Sequence, residues 1–284
     1  MRKIVVPSDF SENAMNALKY AVELFKHEIS EFHILHAFAE EVYNNKEILT
    51  RTAMDAVKED LQKKYESQLE VILREIQEFS PNPRHRFQAH VAFGHLIDEL
   101  NELVDKEEAD IAVMGTRGKT NDRQLTFGSN TLQVIKYVQC PVLSIPENYK
   151  FQDLQHILFP TNFMLPYQKR ELKLVAEISK SFPATIHMLY ISNFPIESLR
   201  QKENFEFIKT QFLEEYFQYH RVDEASRERV IYEQLEHLKI DLLVMANSRH
   251  TYLENILYES TIDKISLYPK IPFLVLQNFY RECR

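Results

Sequence analysis

The sequence predicts a tandem pair of doubly wound α/β domains, each a parallel sheet covered by helices on both faces. Three observations carry this reading. A chain of 284 residues is long for one core, and domains of about 100 to 200 residues suggest two. Short β-branched runs alternate with stretches whose apolar residues recur at helical spacing, and right-handed crossovers then lay helices over a parallel sheet. The whole pattern also occurs twice, which makes the chain an internal repeat.

In the first copy, KIVVPSDFSENAMNALKYAVELF reads as a strand, a turn at Pro7 to Ser11 and a helix. The pattern returns as ILFPTNFMLPYQKRELKLVAEIS, where Pro160 answers Pro7 and Asn162 answers Asp9. EFHILHAF and ATIHMLYI pair as second strands, ADIAVMGTRG and IDLLVMANSR as fourth, and CPVLSIP and IPFLVLQ as fifth. After the second strand each copy carries a long polar helix-forming stretch, residues 47–79 and 197–220. The aromatics of FEFIKTQFLEEYFQYH, read at helical spacing, belong to a core or an interface. The polar run ENYKFQDLQ separates the copies. A boundary at Tyr149 gives domains 1–149 and 150–284.

The composition is that of an ordinary globular protein, 44% hydrophobic and 27% charged. A net charge of -8 and a pI near 5.8 give no general electrostatic reason to meet nucleic acid or an anionic membrane. After MRK only three apolar residues precede Pro7 and Asp9, too few for the apolar region of a signal peptide, and no segment has the roughly 18 apolar residues of a membrane helix. A cytoplasmic protein is expected. Cys140 and Cys283 lie far apart and read as reduced thiols.

Three of the four glycines fall in MGTRGKTNDRQLTFGSN, residues 114–130. In open α/β sheets ligands collect at the carboxyl ends of strands, where helix N-termini present unpaired backbone donors. Gly115 and Gly118 let the chain turn sharply and approach a ligand, and Gly128 with Ser129 opens the next helix. Phosphate suits such a place. The P-loop pattern and GxGxxG at the first turn are both absent, which disfavours a P-loop NTPase and a dinucleotide-binding dehydrogenase.

What is present is GxxG, nine residues, then GS, together with PSDFS at the first turn and the repeat. This set resembles the universal stress protein family over essentially the whole chain, as two copies. The resemblance implies a five-stranded, Rossmann-like (adenine nucleotide alpha hydrolase-like) domain, and members with the glycine signature bind ATP. By position it implies that Asp9 bonds the ribose or adenine side, with Pro7 and Ser8 as the wall of the first turn. Ala37 offers backbone contacts to adenine, and Met114 lines the base pocket. Gly115 and Gly118 pass close to ribose and phosphates, while Gly128, Ser129, Asn130 and Thr131 hold the phosphates; Arg117 and Lys119 add charge nearby. The implied cofactor is ATP, with magnesium carried by the nucleotide. The implied role is a nucleotide-dependent sensor or regulator in the stress response.

The second copy is an internal control. It places Ala246, Arg249 and Glu259 where the first has Gly115, Gly118 and Gly128, and Asn162 where the first has Asp9. A Cβ at the phosphate approach and a carboxylate beside anionic oxygens oppose binding, so one ATP per chain is expected. Glycines that only serve turns, and an Asp9 that only caps the following helix, are the plain alternatives. His33 and His36 point to opposite faces of a strand, and His85, His90 and His95 lack a carboxylate or cysteine at ligand spacing, so no metal site is expected. No catalytic set emerges, so hydrolysis would be slow at most. A slow ATPase and a nucleotide-free scaffold are the competing functions. The repeat also suggests an internal pseudo-dimer packed through the fifth strands, and a homodimer as a further assembly.

Overall fold

The computed structural model describes residues 1–43, 51–116, 128–224, 226–247 and 270–277. The chain divides into two compact units that meet in sequence between Phe151 and Gln152.

In the first unit, β1 (Arg2–Pro7) leads through a tight turn to α1 (Glu12–Leu24) and β2 (Ser30–Ala37). After α2 (Ala39–Tyr43) and the 29-residue α3 (Arg51–Phe79) come β3 (His85–Ala92), α4 (Leu96–Lys106), β4 (Ile111–Gly115), α5 (Ser129–Tyr137) and β5 (Val142–Ile145). The strand order is β3-β2-β1-β4-β5, and every pairing is parallel. The second unit repeats it. Its strands are β6 (His156–Pro160), β7 (Thr185–Ile191), β8 (Phe217–Val222), β9 (Leu242–Asn247) and β10 (Phe273–Gln277). They run parallel in the order β8-β7-β6-β9-β10. Its described helices are α6 (Lys169–Ser181), α7 (Leu199–Lys209) and α8 (Arg227–His237).

Central strands are apolar on both faces because helices cover both. Ile4, Val5 and Val6 of β1, Phe32, Ile34 and Leu35 of β2, and Ile111, Ala112 and Val113 of β4 are all buried. Ala14, Ala17, Leu18 and Ala21 form the buried stripe of α1, spaced as a helix packed on a sheet requires.

The stretch 197–220 departs from the sequence expectation. The helix ends at Lys209, a turn follows, a short 3-10 turn covers Glu214–Tyr216, and strand β8 begins at Phe217. Phe217 and Tyr219 stand two apart, the period of a strand, and both pack on Phe205 of α7, with ring centroids 6.5 and 5.2 Å away. Both third strands escaped the sequence reading for one reason: β3 and β8 lie at sheet edges and are half solvated, so HRFQAHVA and FQYHRV carry no apolar run. Among the described residues no helix is long and apolar enough to cross a membrane.

Candidate functional site

In each unit the chain winds outward in one direction through its first three strands and then crosses to the other side of the first. This reversal opens a crevice between the carboxyl ends of β1 and β4, the usual ligand position in open α/β sheets. Of the described sequence-derived residues, Pro7, Ser8 and Asp9 fall on the β1 bank of that crevice, Met114, Gly115 and the start of α5 on the β4 bank, and Ala37 at the end of neighbouring β2.

On the β1 bank the chain leaves the sheet at buried Pro7. The Ser8 N–H donates to the Leu35 carbonyl at 2.8 Å, which ties the turn to β2. The Ser8 Oγ accepts the Phe10 N–H at 3.2 Å, and Asp9 Oδ1 accepts the Ser11 N–H at 3.1 Å. These two bonds stabilise Phe10 in the left-handed region, at φ 63°, where a bulky residue is strained by about 1 to 2 kcal/mol. Ser11 is the N-cap of α1, its Oγ accepting the Ala14 N–H at 3.1 Å. The capping role weighed for Asp9 therefore belongs to Ser11, and Asp9 shapes the turn one step earlier.

Behind this turn His36 donates from Nδ1 to the Ser8 carbonyl at 2.8 Å, a contact that fixes the proton on that nitrogen because a carbonyl only accepts. Its ring packs against both Phe10 and Tyr65, with centroids 4.5 and 4.3 Å away, and those two rings stack on each other at 5.6 Å. The Tyr65 hydroxyl donates to Glu41. Burial, reinforced by that carboxylate, pushes the Tyr65 hydroxyl well above the ordinary phenol range. Sequence reasoning passed over Tyr65, although the spacing Tyr65, Leu69, Ile72, Ile76 is a buried helical stripe. Ala37 closes β2, half-buried and paired with Ala92.

On the β4 bank Met114 is buried beside Gly115. A Cβ on Gly115 would stand 2.5 Å from the Asn13 side-chain nitrogen and 3.2 Å from the Asn13 carbonyl oxygen. No described glycine has a positive φ, so space and not backbone conformation demands glycine here. That space is filled by the first turn of α1, a reason for Gly115 internal to the protein. Beyond the strand, the Gly128 N–H donates to the Thr116 carbonyl at 2.8 Å. Thr131 Oγ1 lies 3.1 Å from the carbonyls of both Gly115 and Thr116. The buried Thr131 hydroxyl thus fastens α5 to the end of β4, while Ser129 and Asn130 are exposed.

Gly128 is the N-cap of α5 and brings no side chain to accept a helix donor. The first N–H to return to its carbonyl is that of Leu132, at 3.0 Å. The backbone donors of Ser129, Asn130 and Thr131 precede any intrahelical partner, and the helix dipole adds partial positive charge at the same end. Arg117, Gly118 and Lys119 lie outside the described residues.

A groove of about 610 Å³ runs from Phe10 and Ser11 of the first turn between α1 and α3, lined also by Asn13, Asn16, Val71 and Ile72. Lys19 and Glu75 pair across it at 2.7 Å. Neither Asp9 nor α5 lines it. Among the described residues no group of three or more His, Cys, Asp or Glu is arranged to hold a metal ion.

The second unit keeps the turn and alters its surroundings. Thr161, Asn162 and Phe163 repeat Ser8, Asp9 and Phe10: the Phe163 N–H meets Thr161 Oγ1 at 3.1 Å, the Met164 N–H meets Asn162 Oδ1 at 3.0 Å, and Phe163 has φ 57°. Here, however, α7 lies against the turn, Gln201 donating to the Asn162 carbonyl at 2.9 Å and Asn204 to that of Phe163 at 2.8 Å.

A doubly wound, Rossmann-like parallel sheet, built twice, with a polar first turn facing a glycine-capped helix in one copy, defines the class. Within it, the model of the universal stress protein family matches residues 1–146, and the chain belongs to that family. Universal stress protein G of Shigella flexneri is 30% identical over 148 residues, which span 51% of this chain and 98% of that protein. Universal stress protein MJ0531 of Methanocaldococcus jannaschii is 26% identical over 149 residues, 52% of this chain and 84% of that one. The solved structure of a universal stress protein from Archaeoglobus fulgidus covers 98% of both chains at 18% identity with a TM-score of 0.71, a likeness of fold.

Proposed function

We propose that the first unit binds one ATP, with magnesium carried by the nucleotide, and that the chain is a nucleotide-dependent sensor or regulator in the stress response of the cytoplasm. The observation that carries this reading is the N-terminus of α5, whose cap is a glycine without a side-chain acceptor and which opens beside the exit of β4. Anions are favoured at such a terminus by free N–H donors and by the dipole together. In this reading Ser129, Asn130 and the backbone of Thr131 hold phosphates, with Gly118 and Arg117 alongside. Asp9 and Ser8 take the ribose side, with Pro7 as the wall. Ala37, Met114 and Gly115 border the base. The second unit, 150–284 in the sequence division, keeps the fold and has lost ATP, because Arg249 and Glu259 replace two of the glycines.

No general base or nucleophile is assigned, so turnover of ATP is slow at most. A homodimer and a pseudo-dimer of the two copies belong to the same proposal. The test is displacement of a fluorescent ATP analogue by ATP. Gly128→Asp, which sets a carboxylate at the α5 terminus, is expected to abolish binding while the circular dichroism spectrum is kept. Unchanged affinity in Gly128→Asp would overturn the site.

A further inference from the structure

The second unit carries a row of histidines on three adjacent parallel strands. His156 Nδ1 lies 3.0 Å from His187 Nε2, and His187 Nδ1 lies 2.9 Å from His220 Nε2. The rings stand about one strand spacing apart, with centroids 5.2 and 5.1 Å from each other. His187 is buried, and His156 and His220 at the ends are half-buried.

Each contact between two imidazole nitrogens needs one proton, neither none nor two. Three neutral rings satisfy both contacts in only two ways: all three carry the proton on Nδ1, or all three carry it on Nε2. One added proton also fits. The imidazolium then stands on any one of the three rings, and on His187 it carries N–H on both nitrogens and donates to a lone pair on each side. A second added proton does not fit, because any distribution of it sets N–H against N–H at one of the two contacts.

The equivalent row in the first unit is built differently. His33 Nδ1 meets His90 Nε2 at 3.0 Å, but Lys3 takes the place of His156. Two carboxylates stand near His33, Glu31 at 3.8 Å and Glu107 at 4.0 Å, and Lys3 reaches Glu107 at 3.4 Å. In the second unit Thr185 replaces Glu31, and Leu238, the C-cap of α8, replaces Glu107, the C-cap of α4. Among the described residues the three imidazoles of the second row pair with no carboxylate.

Several charged groups on the surrounding elements have partners of their own. Ahead of β9, Asp241 accepts the backbone N–H groups of Gln155 and His156 at 2.8 and 2.9 Å, and the Gln152 side chain at 3.1 Å. On β8 Arg221 pairs with Asp223 at 3.0 Å. On α8 Arg229 pairs with Glu224 and with Glu233, the latter at 3.7 Å. Arg227, Glu236, His237 and Lys239 are further ionisable groups of α8 and its C-terminal turn, and none of them figures among the causes that shift His187 or His220.

We propose that His156, His187 and His220 form one proton-binding site, in which three imidazoles take up a single proton, share it along the row and exclude a second. A hydronium ion gives its proton to a terminal ring and leaves as water, the row then holds one positive charge, and shifts of N–H protons across the two contacts carry that charge from ring to ring without changing the proton count; release to water from either end restores the neutral row. The second unit thereby responds to acidity as one group rather than three. Burial, with His220 and His156 acting in the same direction, holds His187 down at about 4, and burial also lowers His220. This inference does not depend on nucleotide binding.

The test is a pH titration of the full chain, labelled with 15N in histidine, read by long-range proton–nitrogen correlation, which reports the tautomer and the charge of every ring. The expected result is one common tautomer for the three rings at pH 8, then a joint change with one midpoint below the ordinary histidine value of about 6.5. That change corresponds to uptake of one proton while the unit stays folded. In His187→Gln the coupling is expected to vanish, with His156 and His220 titrating separately. Mixed tautomers, three separate midpoints, or uptake of two protons by the folded unit would overturn the proposal, as would a joint midpoint surviving in His187→Gln. The first set of outcomes needs no variant to fold.

Discussion

The first-strand exits of the two units have the same turn and different neighbours. Ser8, Asp9 and Phe10 on one side, and Thr161, Asn162 and Phe163 on the other, make the same two side-chain-to-backbone bonds and place the phenylalanine at nearly the same positive φ, 63° and 57°. After Pro7 the helix starts within five residues and is capped by Ser11; after Pro160 it starts nine residues on, behind Gln168, which makes no side-chain cap. What recurs is what any such fold needs, a strained exit held by its own hydroxyl and carboxyl or amide. What differs surrounds the crevice, and there function was free to diverge.

The largest expected effect is at Gly115. Gly115→Ala forces a Cβ into Asn13, and overpacking of this kind costs about 1 to 3 kcal/mol. Urea unfolding should show that loss, whereas the reverse change in the other unit, Ala246→Gly, should cost no more than about 1 kcal/mol of backbone entropy. Equal costs would mean that Gly115 is not set by the first turn of α1.

Asp110 and Asp241 test a device the two units share. Each carboxylate accepts the backbone N–H of the first-strand residue opposite it, Lys3 at 3.0 Å and His156 at 2.9 Å. Substitution of either by Ala should destabilise its own unit by about 2 kcal/mol, the range for hydrogen bonds to a charged group. Hydrogen exchange should localise each loss to one unit; a loss spread over both would contradict the repeat as two separate cores.

The helix caps sharpen the contrast at a smaller scale. Ser11→Ala should cost about 1 kcal/mol, while Gln168→Ala, with no cap bond to lose, should be close to neutral by thermal melting. Smallest at mild acidity is the effect of the second histidine row. His187 is held down at about 4 in the folded chain and returns to about 6.5 when unfolded. The unfolded state therefore binds more protons between those values. The stabilisation is fully present above pH 6.5 and is lost as pH falls toward 4. The loss is slight at pH 6, and hydrogen exchange should show it growing in the second unit as the pH drops further.

Much of this was legible in the sequence, and the exceptions have physical reasons. The central strands announced themselves because burial on both faces demands unbroken apolar runs such as IAVM and FLVL. The edge strands β3 and β8 did not, since a half-solvated edge accepts His, Arg and Gln. Gly128 was placed correctly at the start of α5 because glycine before Ser-Asn-Thr is a local signal. The cause of Gly115 was not readable: its neighbour Asn13 is 102 positions away, and only the packing of α1 on β4 brings them together. The histidine rows were equally hidden, because a bond between strands depends on register, and no spacing within one strand encodes it.

The central claim is that one unit binds nucleotide and its copy does not. Calorimetric titration of the full chain, stripped of nucleotide, with ATP and magnesium reads this directly as stoichiometry. The account predicts one site per chain. Two sites would show that the second unit tolerates Arg249 and Glu259 at the phosphates, and no site would leave the crevice of the first unit without the ligand assigned to it.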